Sequence, residues 1–221
     1  MSEIEEEYLY FCRSDIIGDD HEGTLGGGDQ LLSPAVGGRS QKDYYYTKRI
    51  RELTFLNCWH LNEHEDIGMW ERYVGEDYGI AVVSNVGRLQ EWFGNIGEFD
   101  LGSIAYVDFE KLITMFSGNS DIDRFFYKRQ EFSSENEYRI LHQLRPLKIY
   151  PDNPDMKIFD WEFDQKEEGL RFSIDQEQLI TKIVLAPNIT KKHEDQIRHL
   201  LWEKSIEHLL QRSSLDRKPY L

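Results

Sequence analysis

The sequence predicts an α+β fold, read as a single domain over residues 1–221 with a mixed, mostly antiparallel sheet and surrounding helices. Two observations point there. Short aromatic and β-branched runs are interspersed with stretches whose apolar residues recur at helical spacing. No Pro/Gly/Ser-rich linker divides the chain, whose 39% hydrophobic and 30% charged residues are ordinary globular composition.

Tyr8 to Cys12 reads as a first strand with Arg13 at its exit. Ser14 to Ser40 is rich in Gly and Asp, with Gly26, Gly27 and Gly28 consecutive, and predicts an irregular flap over residues 14–40 with no regular element. Lys42 to Leu53 predicts a helix, and Phe55 to Trp59 a strand ending at His60. Asn62 with Glu65 matches a capping box, so a helix carrying Ile67, Trp70 and Val74 on one face is expected to start at Asn62. Strands follow over 78–83 and 104–109, a helix over 86–93, and a further helix over 122–132 with Phe125 and Phe126 inward. Strands over 138–144, 170–174 and 180–186 precede a closing helix over about 190–210 and an irregular tail, 211–221.

Charge and cysteine content narrow the function classes. The longest apolar runs, such as Ile183 to Pro187, fall far short of the ~20 residues of a membrane span, and the acidic start Glu3 to Glu7 is unlike a secretory signal. A cytoplasmic protein is expected. Cys12 and Cys58 lie in apolar runs and suggest no disulfide scaffold. The net charge of −15 makes long nucleic acid an unfavourable partner. Two basic clusters, Lys48 with Arg49 and Arg51, and Arg124 with Lys128 and Arg129, fit solvated helix faces or a local anion site.

Several stretches taken in order resemble one bacterial family of uncharacterised proteins, domain-of-unknown-function family twenty-nine seventy-one. They are Leu9-Tyr10-Phe11-Cys12-Arg13 with Glu22-Gly23, then Cys58-Trp59-His60-Leu61-Asn62-Glu63-His64-Glu65 with Met69-Trp70, Gly79 to Val82, Val86 to Leu89, and Tyr127-Lys128-Arg129 leading to Glu135-Asn136-Glu137-Tyr138-Arg139. Ile183 to Pro187 and Arg212 to Leu215 complete them. The family's Asp-Pro-Phe-Glu-Gly stands here as Asp19-Asp20-His21-Glu22-Gly23. The resemblance implies a bacterial, intracellular domain with no established activity.

The sharpest constellation is Arg13 at the end of one strand, His60 at the end of the next, and Glu135-x-Glu137 before a later one. This order is similar to that of NAD-dependent ADP-ribosyltransferases, in which His60 would stand where Ser or Thr is frequent. Breaking the nicotinamide–ribose bond develops oxocarbenium charge that a fixed carboxylate stabilises, while a guanidinium grips pyrophosphate and an aromatic ring stacks on nicotinamide. Glu137 would be that carboxylate and Glu135 would orient the acceptor. Arg13 would hold the pyrophosphate, His60 the ribose, and Trp59 or Trp70 the ring. The same residues also fit plain ion pairs, with Arg13 bound to Asp15 or Glu22 and Glu137 bound to Arg139 on one strand face.

His60-Leu61-Asn62-Glu63-His64 has the H-x-x-E-H spacing of inverted zinc peptidases, but a helix starting at Asn62 would leave His60 on the preceding strand. Cys58 is expected to be an inert thiol, and the glycine triplet lacks the Lys-Ser/Thr of a phosphate loop. The leading expectation is an ADP-ribosyltransferase-like effector or toxin that uses NAD as donor and needs no metal. The alternatives are a non-catalytic module that binds a protein partner in a stress or phage-defence system, and, third, a metal-dependent hydrolase. The acceptor is left open.

Overall fold

The computed structural model describes residues 7–32, 41–75, 78–113 and 120–216. It is a mixed structure of helices and largely antiparallel sheets, as the α+β expectation has it. Two compact units are present, one of Tyr8–Leu61 with Ile96–Phe172, the other of Asn62–Asn95 with the chain from Ser173.

The larger unit contains β1 (Tyr8–Arg13), β2 (Thr54–His60), β4 (Phe99–Ser103), β7 (Glu137–Gln143) and β10 (Gly169–Ser173), ordered β10-β1-β2-β7-β4. The strand β3 (Ile80–Val83) belongs to the other unit. β1 with β2, β2 with β7, and β7 with β4 pair antiparallel. Directly opposite residues share a face, so the register of β2 on β7 orders that face as Leu56 with Leu141, Cys58 with Arg139, and His60 with Glu137. The first pair packs into a core with Ile50, Ile122 and Phe125. Moving along the strands, this face changes from apolar to charged. Phe11, Phe99 and Phe172 make tilted and edge-to-face contacts in a second aromatic cluster.

Four sequence expectations change in the structure. Residues 14–40 were expected to hold no regular element, yet Ser14–Ile16 forms a 3-10 turn and α1 spans Gly27–Leu32. The Asp29 carboxylate accepts from Gly26 N at 3.1 Å. A Cβ on Gly26 or Gly27 would strike the backbone of Leu112 or Glu110, which explains a glycine run in an ordered segment. Residues 33–40 of the expected flap, and 217–221 of the expected tail, lie outside the described residues.

The helix expected over 122–132 is broken. After α2 (Gln41–Glu52), which meets its own expectation, the next helix of this unit is α5 (Ser120–Asp123), followed by a 3-10 turn at Arg124–Phe126. The chain then enters β6 (Tyr127–Arg129), parallel to β5 (Ala105–Val107), and a second 3-10 segment over Gln130–Glu135. Burial of Phe125 against Leu56 and Leu141 stops the helix, and the ladder to β5 takes up the backbone that follows. Asn136 closes the segment in the left-handed region at φ 39°, which Asn tolerates better than most residues. The hairpin of β8 (Leu147–Tyr150) and β9 (Asn153–Phe159) has no counterpart in the sequence reading.

In the smaller unit, β11 (Lys182–Leu185) pairs antiparallel with β3 and parallel with β12 (Leu210–Gln211). Ile183 and Leu185 pack with Ile197 and Leu201 of α7 (Lys191–Glu203). The helix expected from Asn62 begins later, as α3 (Ile67–Tyr73), because Asp66 caps it by accepting from Met69 N at 3.1 Å. Glu65 instead accepts from Ser213 Oγ and Ser214 N, each at 2.6 Å, and from Trp70 Nε1 at 3.2 Å. The closing helix, expected to run to about 210, ends at Glu203, since Ser205 turns left-handed at φ 61°. The short helices α4 (Val86–Phe93) and α6 (Gln176–Leu179) start on Asn85 and Asp175 caps. Among the described residues no helix is long and apolar enough to cross a membrane.

Candidate functional site

At the charged end of the β2–β7 face, five ionisable side chains are buried together. Arg139 is 0% exposed, Glu22 1%, Glu137 and Lys128 7%, and Glu135 9%. Arg139 Nη1 donates to Glu22 Oε1 at 2.6 Å and to the Phe125 carbonyl at 2.5 Å, while Nη2 donates to Glu137 Oε2 at 2.6 Å and to Glu22 Oε2 at 3.3 Å. Lys128 Nζ bridges the other pair, donating to Glu137 Oε1 at 2.6 Å and Glu135 Oε2 at 2.5 Å. Tyr106 presents its hydroxyl oxygen to Glu137 N at 2.9 Å.

Four different segments therefore supply the charges, and each is placed by its local structure. The strand β7 carries Glu137 and Arg139 two residues apart on one face. β6 brings Lys128, the 3-10 segment brings Glu135, and the loop after β1 brings Glu22. Burial alone would raise both carboxyls of the Glu135/Glu137 pair. For Glu137 the Arg139 guanidinium, the hydrogen bond from Glu135 and the Lys128 ammonium outweigh it and hold the group at about 2. For Glu135 burial and the hydrogen bond to Glu137 prevail over Lys128, and the group is pushed upward. One member is fixed as an anion, and the other holds its proton to higher pH.

His60 ends β2 opposite Glu137. Its Nδ1 lies 2.7 Å from the Glu135 carbonyl, an acceptor, so the ring carries its proton on Nδ1. Nε2 is buried and makes no hydrogen bond with the described residues. Such atoms are uncommon in folded proteins, and Nε of Arg129 and of Arg139, at the same end of the sheet, are left the same way, as are four atoms elsewhere among the described residues. Thus the residues singled out as His60, Glu135 and Glu137 are brought together.

Arg13 is not with them. It lies opposite Phe55, five residues from His60 and on the other face of β2, where its Nε donates to Asp15 Oδ1 at 2.6 Å and its Nη1 to the Glu167 carbonyl at 3.2 Å. Trp59 also points to that other face, its indole N–H donating to Asn57 Oδ1 at 2.6 Å. Trp70 belongs to the smaller unit, bound to Glu65. Glu22 and Lys128 complete the cluster without being candidate site residues in the sequence; the signal for them there is the resemblance over Glu22-Gly23 and Tyr127-Lys128-Arg129. Of the basic residues, Arg129 donates to Asp19 Oδ1 at 3.0 Å and lies 5.0 Å from the centre of the Phe132 ring, as Lys128 does.

Cys58 sits beside this cluster, opposite Arg139. It is an exposed residue rather than a buried one, yet desolvation by the surrounding protein pushes its thiol up to about 12 despite the Arg139 charge. Only a very small fraction is thiolate near neutrality. We expect iodoacetamide at pH 8 to modify Cys58 in the folded protein at least ~100-fold more slowly than a free thiol, by mass spectrometry; modification at the free-thiol rate would show an activated cysteine instead. The His60 to His64 spacing does not form a helical pair, since α3 starts only at Ile67. The described residues contain no group of three or more His, Cys, Asp or Glu side chains placed to hold a metal.

No family model, curated protein or solved structure matches this chain.

Proposed function

We propose that the chain transfers ADP-ribose from NAD, breaking the bond between the nicotinamide nitrogen and ribose. The observation that carries this is the Glu135/Glu137 pair, two touching carboxyls that share Lys128 and whose surroundings push their acidities apart. Divergent pairs of this kind mark acid–base machinery. An ionised carboxylate offers about four acceptor positions. With Glu135 ionised for reaction, Arg139 and Lys128 take two of these at Glu137, which leaves the carboxylate free to face the developing oxocarbenium ion. Nicotinamide departs neutral and needs no acid. Glu135 in its ionised form takes the proton of the incoming acceptor, and His60 Nε2 accepts from a ribose hydroxyl. Because Arg13 is held elsewhere, the pyrophosphate falls to Arg129, beside Lys128 on β6.

A second class, the non-catalytic interaction module, has one observation in its favour. Leu147 and Ile149, two residues apart on one face of β8, are 59% and 61% exposed, apolar side chains on a two-stranded hairpin that solvent alone does not favour. Calorimetric titration with NAD separates the two. Saturable heat below millimolar NAD, retained in Glu137→Gln and weakened in Arg129→Ala, is expected of the transferase. Absence of heat at millimolar NAD in the folded protein moves the assignment to the interaction module.

A further inference from the structure

Glu22 is the one buried carboxylate of the cluster that the transfer chemistry does not use. Both its oxygens accept from Arg139, across 117 residues of sequence. The loop around it is built to deliver it. His21 N and Arg129 Nη2 both donate to Asp19 Oδ1 at 3.0 Å, Glu22 N donates to the Asp19 carbonyl at 3.0 Å, and Thr24 Oγ1 donates to the His21 carbonyl at 2.9 Å. Two ion pairs, Asp19 with Arg129 and Glu22 with Arg139, anchor this stretch to β6 and β7.

The balance of charge gives Glu22 a consequence beyond anchorage. Glu135 is faced by Lys128 from β6, Glu137 from β7, Tyr106 from β5 and the His60 ring from β2, and Arg139 and Glu22 lie one step further. Ion-paired together, the three carboxylates Glu22, Glu135 and Glu137 face the two cations Lys128 and Arg139, and the adjacent Asp19–Arg129 pair cancels itself. One proton restores balance in a medium where an uncompensated charge is costly. It resides on the pair Glu135/Glu137, since Glu22 receives two hydrogen bonds from a guanidinium.

We infer that Glu22 is a positioning residue which, through Arg139, orients Glu137 and keeps one proton on the Glu135/Glu137 pair. Glu22→Gln preserves shape and one acceptor for Arg139 but leaves two carboxylates against two cations, balanced without that proton. The loop thereby regulates the site: when Glu22 is seated, the base form of Glu135 appears only at higher pH. Its consequence for activity rests on the transferase proposal, but the proton count does not.

The test is a carbon NMR titration of the full chain labelled at glutamate side-chain carboxyls, with Glu135→Gln to assign the signal. The Glu135 midpoint is expected to fall by about one pH unit or more in Glu22→Gln and to stay near wild type in Glu22→Asp, which keeps the charge. An unchanged or higher midpoint in Glu22→Gln overturns the inference. If Glu22→Gln does not fold, Glu22→Asp and wild type still decide, because an ordinary or depressed Glu135 midpoint in both contradicts a held proton. Nicotinamide release measured alongside should shift its rise toward lower pH in Glu22→Gln. A moved NMR midpoint with no release in any variant would remove the transferase proposal and leave this one standing.

Discussion

Replacing Arg139 by Leu is expected to cost about 3–5 kcal/mol of stability, because it strands Glu22 and Glu137 as buried carboxylates beside each other. At about 2–4 °C per kcal/mol for a chain of this size, the midpoint of thermal unfolding should fall by roughly 10 °C. The pH dependence carries a sign that distinguishes a charge effect from a packing effect. In the wild type, Glu137 is held at about 2, below its ordinary 4.5, so its contribution is complete above 4.5 and is lost as pH falls toward 2. In Arg139→Leu the stranded carboxyls are raised above their ordinary value. Their penalty is present at neutral pH and relieved as acid protonates them. Urea unfolding at pH 7 and pH 4 should therefore show a gap between the two proteins that narrows in acid, and an equal gap at both would refute the electrostatic account.

Gly23→Ala is expected to be nearly as damaging, by about 2–4 kcal/mol, for steric reasons. Gly23 sits at φ +65°, and an added Cβ would lie 2.0 Å from Cε1 of the Phe125 ring. That ring cannot retreat, since it is fully buried among Ile50, Leu56, Ile122 and Leu141, and its carbonyl holds Arg139. The substitution must push the loop outward and draw Glu22 off Arg139. Near-wild-type stability in chemical denaturation would show that the loop is not seated on Phe125 as described.

The strands β1, β2 and β7 could be read from their aromatic and β-branched runs, and the pairing of Glu137 with Arg139 followed from two-residue periodicity. What could not be read was register. Arg13 and His60 end neighbouring strands, but Arg13 faces Phe55, and sliding the pairing by one residue would place Arg13 on the His60 face. Composition does not encode that choice. Lys128 was hidden by a helix expected over 122–132, where the burial of Phe125 and the ladder from Tyr127 to Ala105 override helical spacing. Glu22 was unreadable as a site residue because its bond to Arg139 is purely tertiary. The β8–β9 hairpin carries a weak sequence signal because Pro154 lies inside its second strand, near the start, where a missing N–H is tolerated.

In the transferase proposal, Glu137 stabilises positive charge on a ribose during loss of nicotinamide. Free nicotinamide released from millimolar NAD, with water as the nucleophile that takes the ADP-ribose and gives its proton to Glu135, is measured by chromatography for wild type and Glu137→Gln across pH 5 to 9. We predict release by the wild type that rises with pH as Glu135 gives up its proton, and a loss of ~100-fold or more in a Glu137→Gln variant whose circular dichroism is unchanged. Equal release by the two folded proteins, or none by the wild type, would contradict it.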